Sequence, residues 1–376
     1  MPHAYLVSGD VTPASERLPM ELVAYARASE YQLLTLRGLT LLARLQALQG
    51  RLKQAAATYG EVVQLVKRPE ELQVLIASTT YYFGLGDLLR EWNELEAAEQ
   101  HLVRGMDLIK GMQAIDVDKL WLGYAALARL QQAQGKDDQA LATLDAFMQL
   151  AQQRHVATLL LAQGAALRAQ LELAQGDLPA AYHWAASSGL STGDVPWYPD
   201  EQAYLTLARV RIAEERVSPT GDGLSDVLFL LEQLLAKAEL SKRWHSVLEI
   251  LLLLALAWEE QGDSTAVLTM LGRALVLAEP EGYVRLFLDE GPALLALLRQ
   301  AAGVWRHGLA PRYVAGLLEA AGEWAGPEVR FHGKNHPGIT PFGYCLLFCW
   351  SATLSQRCQR DTPSSSEYTG KKEQYF

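Results

Sequence analysis

The stretch LTLLARLQALQGRLKQAAATYGEVVQL, residues 39–65, sets the pattern that the rest of the chain repeats. An apolar run leads to Gly50, a few polar residues follow, and Ala55 stands five positions after the glycine. Glycine readily takes the left-handed backbone conformation that ends a helix, and a small side chain lets two helices approach closely. The stretch therefore predicts a helix, a tight turn and a second helix that packs back on the first.

The same pattern returns along the chain, in full at GYAALARLQQAQGKDDQALATLDAFMQL (residues 123–150) and LLLLALAWEEQGDSTAVLTMLGRALVLA (residues 251–278). The glycines at the break are Gly50, Gly135, Gly176 and Gly262. The residues that follow the break, 41 to 43 positions apart, are Ala55, Ala97, Ala140, Ala181, Leu224 and Val267. The tripeptide Leu-Ala-Arg also recurs, at 42–44, 127–129 and 207–209. A single helix pair cannot bury its apolar faces alone, so the repeated pairs must stack.

These repeats predict an all-α fold, a right-handed superhelix (solenoid) of about six antiparallel helix pairs. The period of about 42 residues is longer than the 34 residues of a tetratricopeptide (TPR) repeat, so the pairs are TPR-like with longer helices. We expect an N-terminal lead-in at residues 1–20 and the repeat superhelix at 21–278. Capping helices at 279–325 and an irregular tail at 326–376 complete the predicted organisation.

Composition and charge limit the function. A net charge of −10 disfavours direct nucleic-acid binding, because a phosphate backbone would be repelled. The first ten residues, MPHAYLVSGD, have no signal-peptide pattern, and no cysteine precedes Cys345, so a cytoplasmic location is expected. The most apolar run, LEILLLLALAW (residues 248–258), contains Glu249 and is too short to span a bilayer. We expect it to be a buried helix, and we expect no contact with membranes.

Two stretches resemble a known family: AAYHWAASSGLSTGDVPWYPDEQAYLTLARVRIA (residues 180–213) and LGRALVLAEPEGYVRLFLDEGPALLALLRQA (residues 271–301). They are similar to the helical-repeat domain of the large MalT-like regulators, the ATP-dependent branch of the LuxR family of bacterial transcription activators. In that family a TPR-like superhelix senses an inducer or a partner protein. An NTP-binding domain precedes the superhelix, and a helix-turn-helix that binds DNA follows it. The resemblance implies a sensor module whose partner is a small-molecule inducer or a regulatory protein, with possible self-association.

The chain departs from that family at both ends. It has no G-x-x-x-x-G-K-[ST] loop to hold phosphates and no helix-turn-helix opening. We therefore expect the sensor superhelix without its NTP-binding and DNA-binding domains, and no cofactor. The alternative is a free-standing TPR-like scaffold that binds a protein in its concave groove. An enzyme is disfavoured, because even an α/α-toroid glycosidase would need two carboxylates at a fixed separation and the repeats single out no such pair.

Aromatic residues on the first helix of each pair are the candidates for ligand binding, because in the family these helices line the inner wall. They are Tyr81, Tyr82, Trp121, Tyr124, Tyr204 and Trp244. Aromatic faces with a few polar groups suit a sugar or an apolar peptide. The alternative interpretation is that these side chains only pack repeats against each other.

The stretch EPEGYVRLFLDEGPALLALL, residues 279–298, follows the last repeat. Its acids and arginine resemble a catalytic loop, but a solenoid end exposes an apolar face that must be covered. We therefore interpret Arg285, Asp289 and Glu290 as a structural cap. Either acid can cap the helix that begins near Pro292, and Arg285 can pair with either acid.

The tail loses the helical pattern after about Trp324, and it holds all three cysteines of the chain. We interpret it as disordered or translated out of frame. The weaker alternative is a zinc site, because four residues have the spacing H-x3-H-x8-C-x3-C: His332, His336, Cys345 and Cys349. No other metal site is expected.

Overall fold

The computed structural model describes residues 13–66, 72–110, 117–154, 158–219, 223–304 and 310–322. All of them belong to one compact unit of the chain. They form sixteen α-helices and two short 3₁₀ turns, Tyr198–Asp200 and Glu279–Glu281, with no strand in these ranges. The all-α prediction is confirmed for the described part of the chain.

Six consecutive helix pairs, α2/α3 to α12/α13, make up most of the unit. The helices are α1 (Pro13–Ala28), α2 (Gln32–Leu48), α3 (Leu52–Val66), α4 (Leu72–Glu91), α5 (Leu95–Ile109), α6 (Val117–Ala133), α7 (Asp137–Gln153), α8 (Thr158–Ala174), α9 (Leu178–Ser187), α10 (Glu201–Val217), α11 (Gly223–Leu240), α12 (Trp244–Gln261), α13 (Ser264–Ala278), α14 (Arg285–Leu288), α15 (Gly291–Val304) and α16 (Ala310–Ala320). The first helix of each pair is called the A helix and the second the B helix.

The turns inside the pairs use the predicted glycines. Gly50, Gly135, Gly176 and Gly262 all have φ between 70° and 85°, the left-handed conformation that ends a helix. Two of these turns continue with an aspartate that caps the next helix: Asp177 accepts from Ala180 N–H, and Asp263 accepts from Thr265 and Ala266 N–H. A Gly-Asp pair thus ends one helix and begins the next.

The second pair lies one residue away from the predicted register. Its turn uses Asn93, with a φ of 62°, where the first, third, fourth and sixth pairs have glycine. Asparagine is the residue other than glycine that most readily takes this conformation. Counted from Asn93, the fifth residue is Ala98, which is fully buried, whereas the predicted Ala97 is half-buried. The expectation for Ala97 was therefore wrong by one position, because no glycine marked the turn.

Five of the six predicted crossing residues are buried: Ala55, Ala140 and Ala181 are 0% exposed, Leu224 is 2% exposed and Val267 is 4% exposed. The small side chains of the alanines allow the A and B helices to approach closely. The apolar run of α12 is also buried: every residue from Ser246 to Ala257 is at most 5% exposed. The prediction of a buried helix there is confirmed.

The A helices form a ring. Each of them contacts the next one along the chain, from α2 to α12, and α12 then contacts α2 again. Each B helix packs against its own A helix, and the first five also pack against the following A helix. In a simple solenoid a repeat contacts only its neighbours. Here the last pair also meets the first, a closure that the repeat pattern did not predict.

The apolar core is unevenly divided around this ring. The second half shares one large cluster that runs from Ala181 on α9 to Leu318 on α16 and that also includes Leu52 of α3. The first half is divided among several smaller clusters. Trp92, at the end of α4, packs against both the large cluster and a small first-half cluster. Apolar contact across the closure is therefore concentrated at a few residues.

Candidate functional site

The segment that follows α13, residues 279–290, is here called the joint. It lies against the end of α4, almost 200 residues earlier in the chain. The Val284 N–H donates to the main-chain carbonyl of Glu91 at 3.1 Å, and the Leu286 N–H donates to the Glu91 carboxylate at 2.8 Å. The guanidinium of Arg90 donates to Asp289 at 2.7 Å. The joint is thus held by main-chain hydrogen bonds and a largely buried ion pair.

Further contacts close the ring beside the joint. The Trp92 indole donates to the carbonyl of Glu281 at 2.9 Å, and the Glu281 carboxylate accepts from Lys53 N–H at 2.9 Å. The turn at Gly50 lies directly against Trp244, the first residue of α12. The name seam is used below for all of these contacts together with the contacts of α4 to the joint and the contact between α2 and α12.

Glu91 has an unusual environment at the seam. Its side chain is buried, and its Oε2 atom has no hydrogen-bond partner in the described residues. The nearest cation is Arg90, whose Nη2 lies 3.6 Å from that oxygen. Burial raises the pKa of Glu91 to about 7, although Arg90 and the Leu286 N–H favour the ionised form. This carboxyl group therefore titrates close to neutral pH.

A second buried charge cluster connects the joint to α10 and α12. Arg209 donates through Nη2 to Glu249 at 2.8 Å, and through Nε to both carboxylate oxygens of Glu290 at 3.1 Å. All three side chains are 6–7% exposed. Gln202 donates to the second oxygen of Glu249 at 2.8 Å. One guanidinium therefore bridges two A helices and the joint.

The two carboxylates of this cluster differ in pKa. Burial favours the neutral form of Glu249, but Arg209 and His245 outweigh it and hold its pKa below the ordinary value. Burial raises the pKa of Glu290, and Arg209 offsets that effect only in part. One positive charge faces two acids, so one of them is less strongly held in its ionised form.

The three predicted cap residues therefore find partners in two places. Arg285 donates through Nε to Asp289 at 2.9 Å, and Asp289 also accepts from Arg90. Glu290 instead pairs with Arg209. The helix expected near Pro292 begins at Gly291. The role of these residues as an end cap stays a prediction. Asp289 lies at the seam through its contact with Arg90, whereas Glu290 belongs to the buried cluster around Arg209.

The predicted aromatic candidates are not gathered into one groove. Tyr81 and Tyr82 on α4 contact each other, with ring centroids 4.9 Å apart, and both contact His101 on α5. Trp121 and Tyr124 on α6 lie 5.0 Å and 5.8 Å from Phe147 of α7. Trp121, Tyr124 and Tyr82 are half-buried, and Tyr81 is buried.

The other two candidates stand elsewhere. The hydroxyl of Tyr204 donates to Asp194 at 2.9 Å, in the long connection between α9 and α10. Trp244 lies at the seam, and it lines an open cleft formed by Glu16, Arg17, Met20, Glu21, Gln49, Arg51, Lys242 and Trp244. The six aromatics thus occupy four places, and their role in ligand binding stays a prediction.

The comparison with protein families agrees with the resemblance in the sequence. Residues 1–303 match the model of the MalT-like TPR region. The match includes all six helix pairs and the joint. The chain belongs to the MalT-like TPR family. No curated protein matches the chain.

In this MalT-like chain four buried charged residues at the seam and in the Arg209 cluster were not predicted as site residues. They are Arg90, Glu91, Arg209 and Glu249. Two signals were present. Arg209 ends one of the recurring Leu-Ala-Arg tripeptides, and Glu249 is an acid inside an otherwise apolar run. Each signal marks a charge on a buried helix, where a partner is required, but neither names the partner.

Other predicted sites have different outcomes. Within the described ranges no group of His, Cys, Asp and Glu is arranged to hold a metal ion. The alternative zinc ligands His332, His336, Cys345 and Cys349 lie outside those ranges. A search of the same ranges finds no helix that combines the length and apolar character needed to cross a bilayer.

Two turn glycines of the MalT-like repeats allow a direct test of the seam. A Cβ on Gly50 would lie 2.9 Å from the Cβ of Trp244, whereas a Cβ on Gly135 would meet nothing within 4 Å. We expect Gly135→Ala to lower the free energy of unfolding by about 1–2 kcal/mol, because both glycines have positive φ. Gly50→Ala should cost at least about 1 kcal/mol more, because of overlap with Trp244. Urea denaturation measures both losses, and equal losses would contradict the close contact.

Proposed function

We propose that this chain is the effector-sensing and protein-interaction module of a MalT-type regulator of the LuxR family. The observation that carries the proposal is the family match over residues 1–303, which spans the whole ring of A helices. The sequence contains no phosphate-binding loop, so the module receives a signal without using a nucleotide. TPR-like helical repeats typically serve as non-catalytic scaffolds, and we propose the same here. The lack of cysteine before Cys345 supports a cytoplasmic location.

The proposed effector is a small neutral sugar or a similar molecule with apolar faces. Trp121 and Tyr124 support this choice, because they lie side by side on one A helix, and each is only half-buried. Their ring faces can stack on the apolar side of a sugar, and nearby polar groups can bind its hydroxyls. Phe147 is fully buried and contacts both rings.

A thermal-shift screen with neutral di- and trisaccharides tests this proposal. We expect at least one sugar to raise the melting temperature of the wild-type chain, since binding to the native state alone stabilises it. Trp121→Ala should lower the affinity for that sugar at least tenfold, and the thermal shift at a given sugar concentration should fall accordingly. Trp197→Ala is the matched control, because Trp197 is 57% exposed and lies in the α9–α10 connection. Equal affinities of the two variants would contradict the role of Trp121.

The second candidate function is a scaffold that binds a protein. It is favoured by exposed large apolar side chains on and just after α1: Met20 is 56% exposed, Tyr25 67% and Tyr31 54%. Exposed large apolar side chains are typical of surfaces that make protein–protein contacts. A complete absence of sugar-induced shifts would contradict the small-molecule proposal and favour this scaffold function.

A further inference from the structure

The joint is anchored in the second half of the ring. Tyr283 and Phe287 are both fully buried in the large apolar cluster, and Phe287 packs edge-on against Tyr313 of α16 at 6.0 Å. The joint therefore moves as part of the second half. Its contacts with α3 and α4 are contacts between two halves of the chain that are distant in sequence.

We propose that the contact between the end of α4 and the joint is a releasable latch that holds the ring of A helices closed. Opening separates residues 90–92 and Lys53 from the joint, and it also separates α2 from α12. Each helix pair keeps its own packing. The inference concerns the chain's own conformation, and it does not depend on which effector or partner the ring binds.

The chemistry of the seam supports reversible opening. Its contacts are mostly polar: three main-chain N–H groups and the Trp92 indole take part, and Arg90 pairs with Asp289. Water can replace each of these partners, so the net stabilisation from such contacts is small. Water cannot replace the contacts within a core of interlocking apolar side chains in the same way. The main apolar contribution from the first half comes from Leu52 and Trp92.

Closure also carries a cost at Glu91. The Oε2 atom of this side chain is buried without a hydrogen-bond partner when the joint is in place. An open seam lets water reach both carboxylate oxygens, so opening removes the cost of that unpaired oxygen. The unpaired oxygen of Glu91 therefore destabilises the closed state at the place where the two halves meet.

The fold offers a physical route to opening. A repeat solenoid is held together by contacts between neighbouring pairs, and these contacts are complete without any closure. Small changes in the angle between successive pairs add up around the ring. A modest change at each pair separates α2 from α12 without exposing the apolar face of any single pair.

Protonation of Glu91 acts on this latch in a defined direction. Burial in the closed seam raises the pKa of Glu91 to about 7, and exposure in the open seam returns it to the ordinary carboxyl range. The closed state therefore binds the proton more tightly, and closure weakens as pH rises through about 7. The charged groups that act on Glu91 are Asp87 and Arg90 of α4 and Asp289 of the joint, and Glu91 in turn acts on Tyr283 of the joint and Tyr313 of α16. The next neighbours are Glu281 beside Tyr283, Glu279 beside Tyr313, and Arg129 of α6 and His245 of α12, which both act on Asp87. Burial lowers the pKa of His245.

Hydrogen exchange of the wild-type chain tests the latch. The reporters are the seam amides of Lys53, Val284 and Leu286, and the reference is Leu252, which is buried in the middle of α12. After correction for intrinsic rates, we expect the seam amides to exchange at least tenfold faster than Leu252. Their exchange should also accelerate at least threefold between pH 6 and pH 8. Seam amides that exchange as slowly as Leu252 would mean that the seam opens only on global unfolding, and the proposal would be wrong.

Two variants and one control separate a latch from general instability. Asp289→Asn removes the ion pair with Arg90, and we expect it to accelerate the seam amides at least tenfold while Leu252 changes less than twofold. Asp145→Asn also removes an acid partner from an arginine, Arg168, but between the third and fourth pairs and away from the seam, and it should leave the seam amides unchanged. Glu91→Gln should abolish the pH dependence of seam exchange. A pH response that persists in Glu91→Gln, or equal effects of the two Asp→Asn changes, would overturn the latch.

Discussion

Replacing Arg209 with methionine is expected to lower the free energy of unfolding by about 3–5 kcal/mol. Methionine keeps much of the side-chain volume but leaves Glu249 and Glu290 buried without their shared cation. An uncompensated buried charge costs far more than the intact pair contributes, because the desolvation of the remaining acids is no longer offset. Urea denaturation followed by circular dichroism at neutral pH measures the loss.

The matched control for this substitution is Arg168→Met. Arg168 also pairs with two acids, Asp145 and Glu172, but its side chain is 39% exposed. Exposed ion pairs contribute little, so we expect a loss of at most about 1 kcal/mol. Similar losses at Arg168 and Arg209 would show that the Arg209 cluster is solvated and would remove its role in connecting the joint to the ring.

Replacing Phe287 with alanine is expected to destabilise the chain by about 3–5 kcal/mol. Phe287 is fully buried and contacts Tyr313, so its removal leaves a cavity where the joint is anchored to the second half. Phe229→Ala is the matched control, because Phe229 on α11 is 58% exposed. Its effect should stay within about 0.5 kcal/mol. Equal free energies of unfolding for the two variants, from urea denaturation, would contradict the anchoring of the joint.

The helix pairs could be predicted because their signals are local. Gly50, Gly135, Gly176 and Gly262 end helices through their own backbone preference, which does not depend on distant contacts. The one error in register has the same origin, since Asn93 provides the conformation of glycine without the residue type that was sought. The buried state of α12 was also predictable, because an apolar run of that length must avoid water.

The candidate site was predictable only in part. The stretch that contains the joint was singled out from its acids, its arginine and its glycines, and Arg285 does pair with Asp289. Its partners on α4 and α10 were missed, because Arg90 and Arg209 look like ordinary helix-surface charges in the sequence. A charged residue shows that a partner is needed if it is buried, but burial itself depends on the packing of distant helices.

The amino-acid pattern was sufficient for the number of helix pairs, the turns between them and the small residues at their crossings, since each of these depends on contacts within one pair. Closure of the ring depends instead on the small rotation from each pair to the next. These rotations accumulate over six pairs, and their sum decides whether α12 reaches α2 and whether the joint reaches α4. No single repeat encodes that sum. Three-dimensional packing alone therefore brought Arg90 and Glu91 against the joint at the seam, and Arg209 against Glu249 and Glu290.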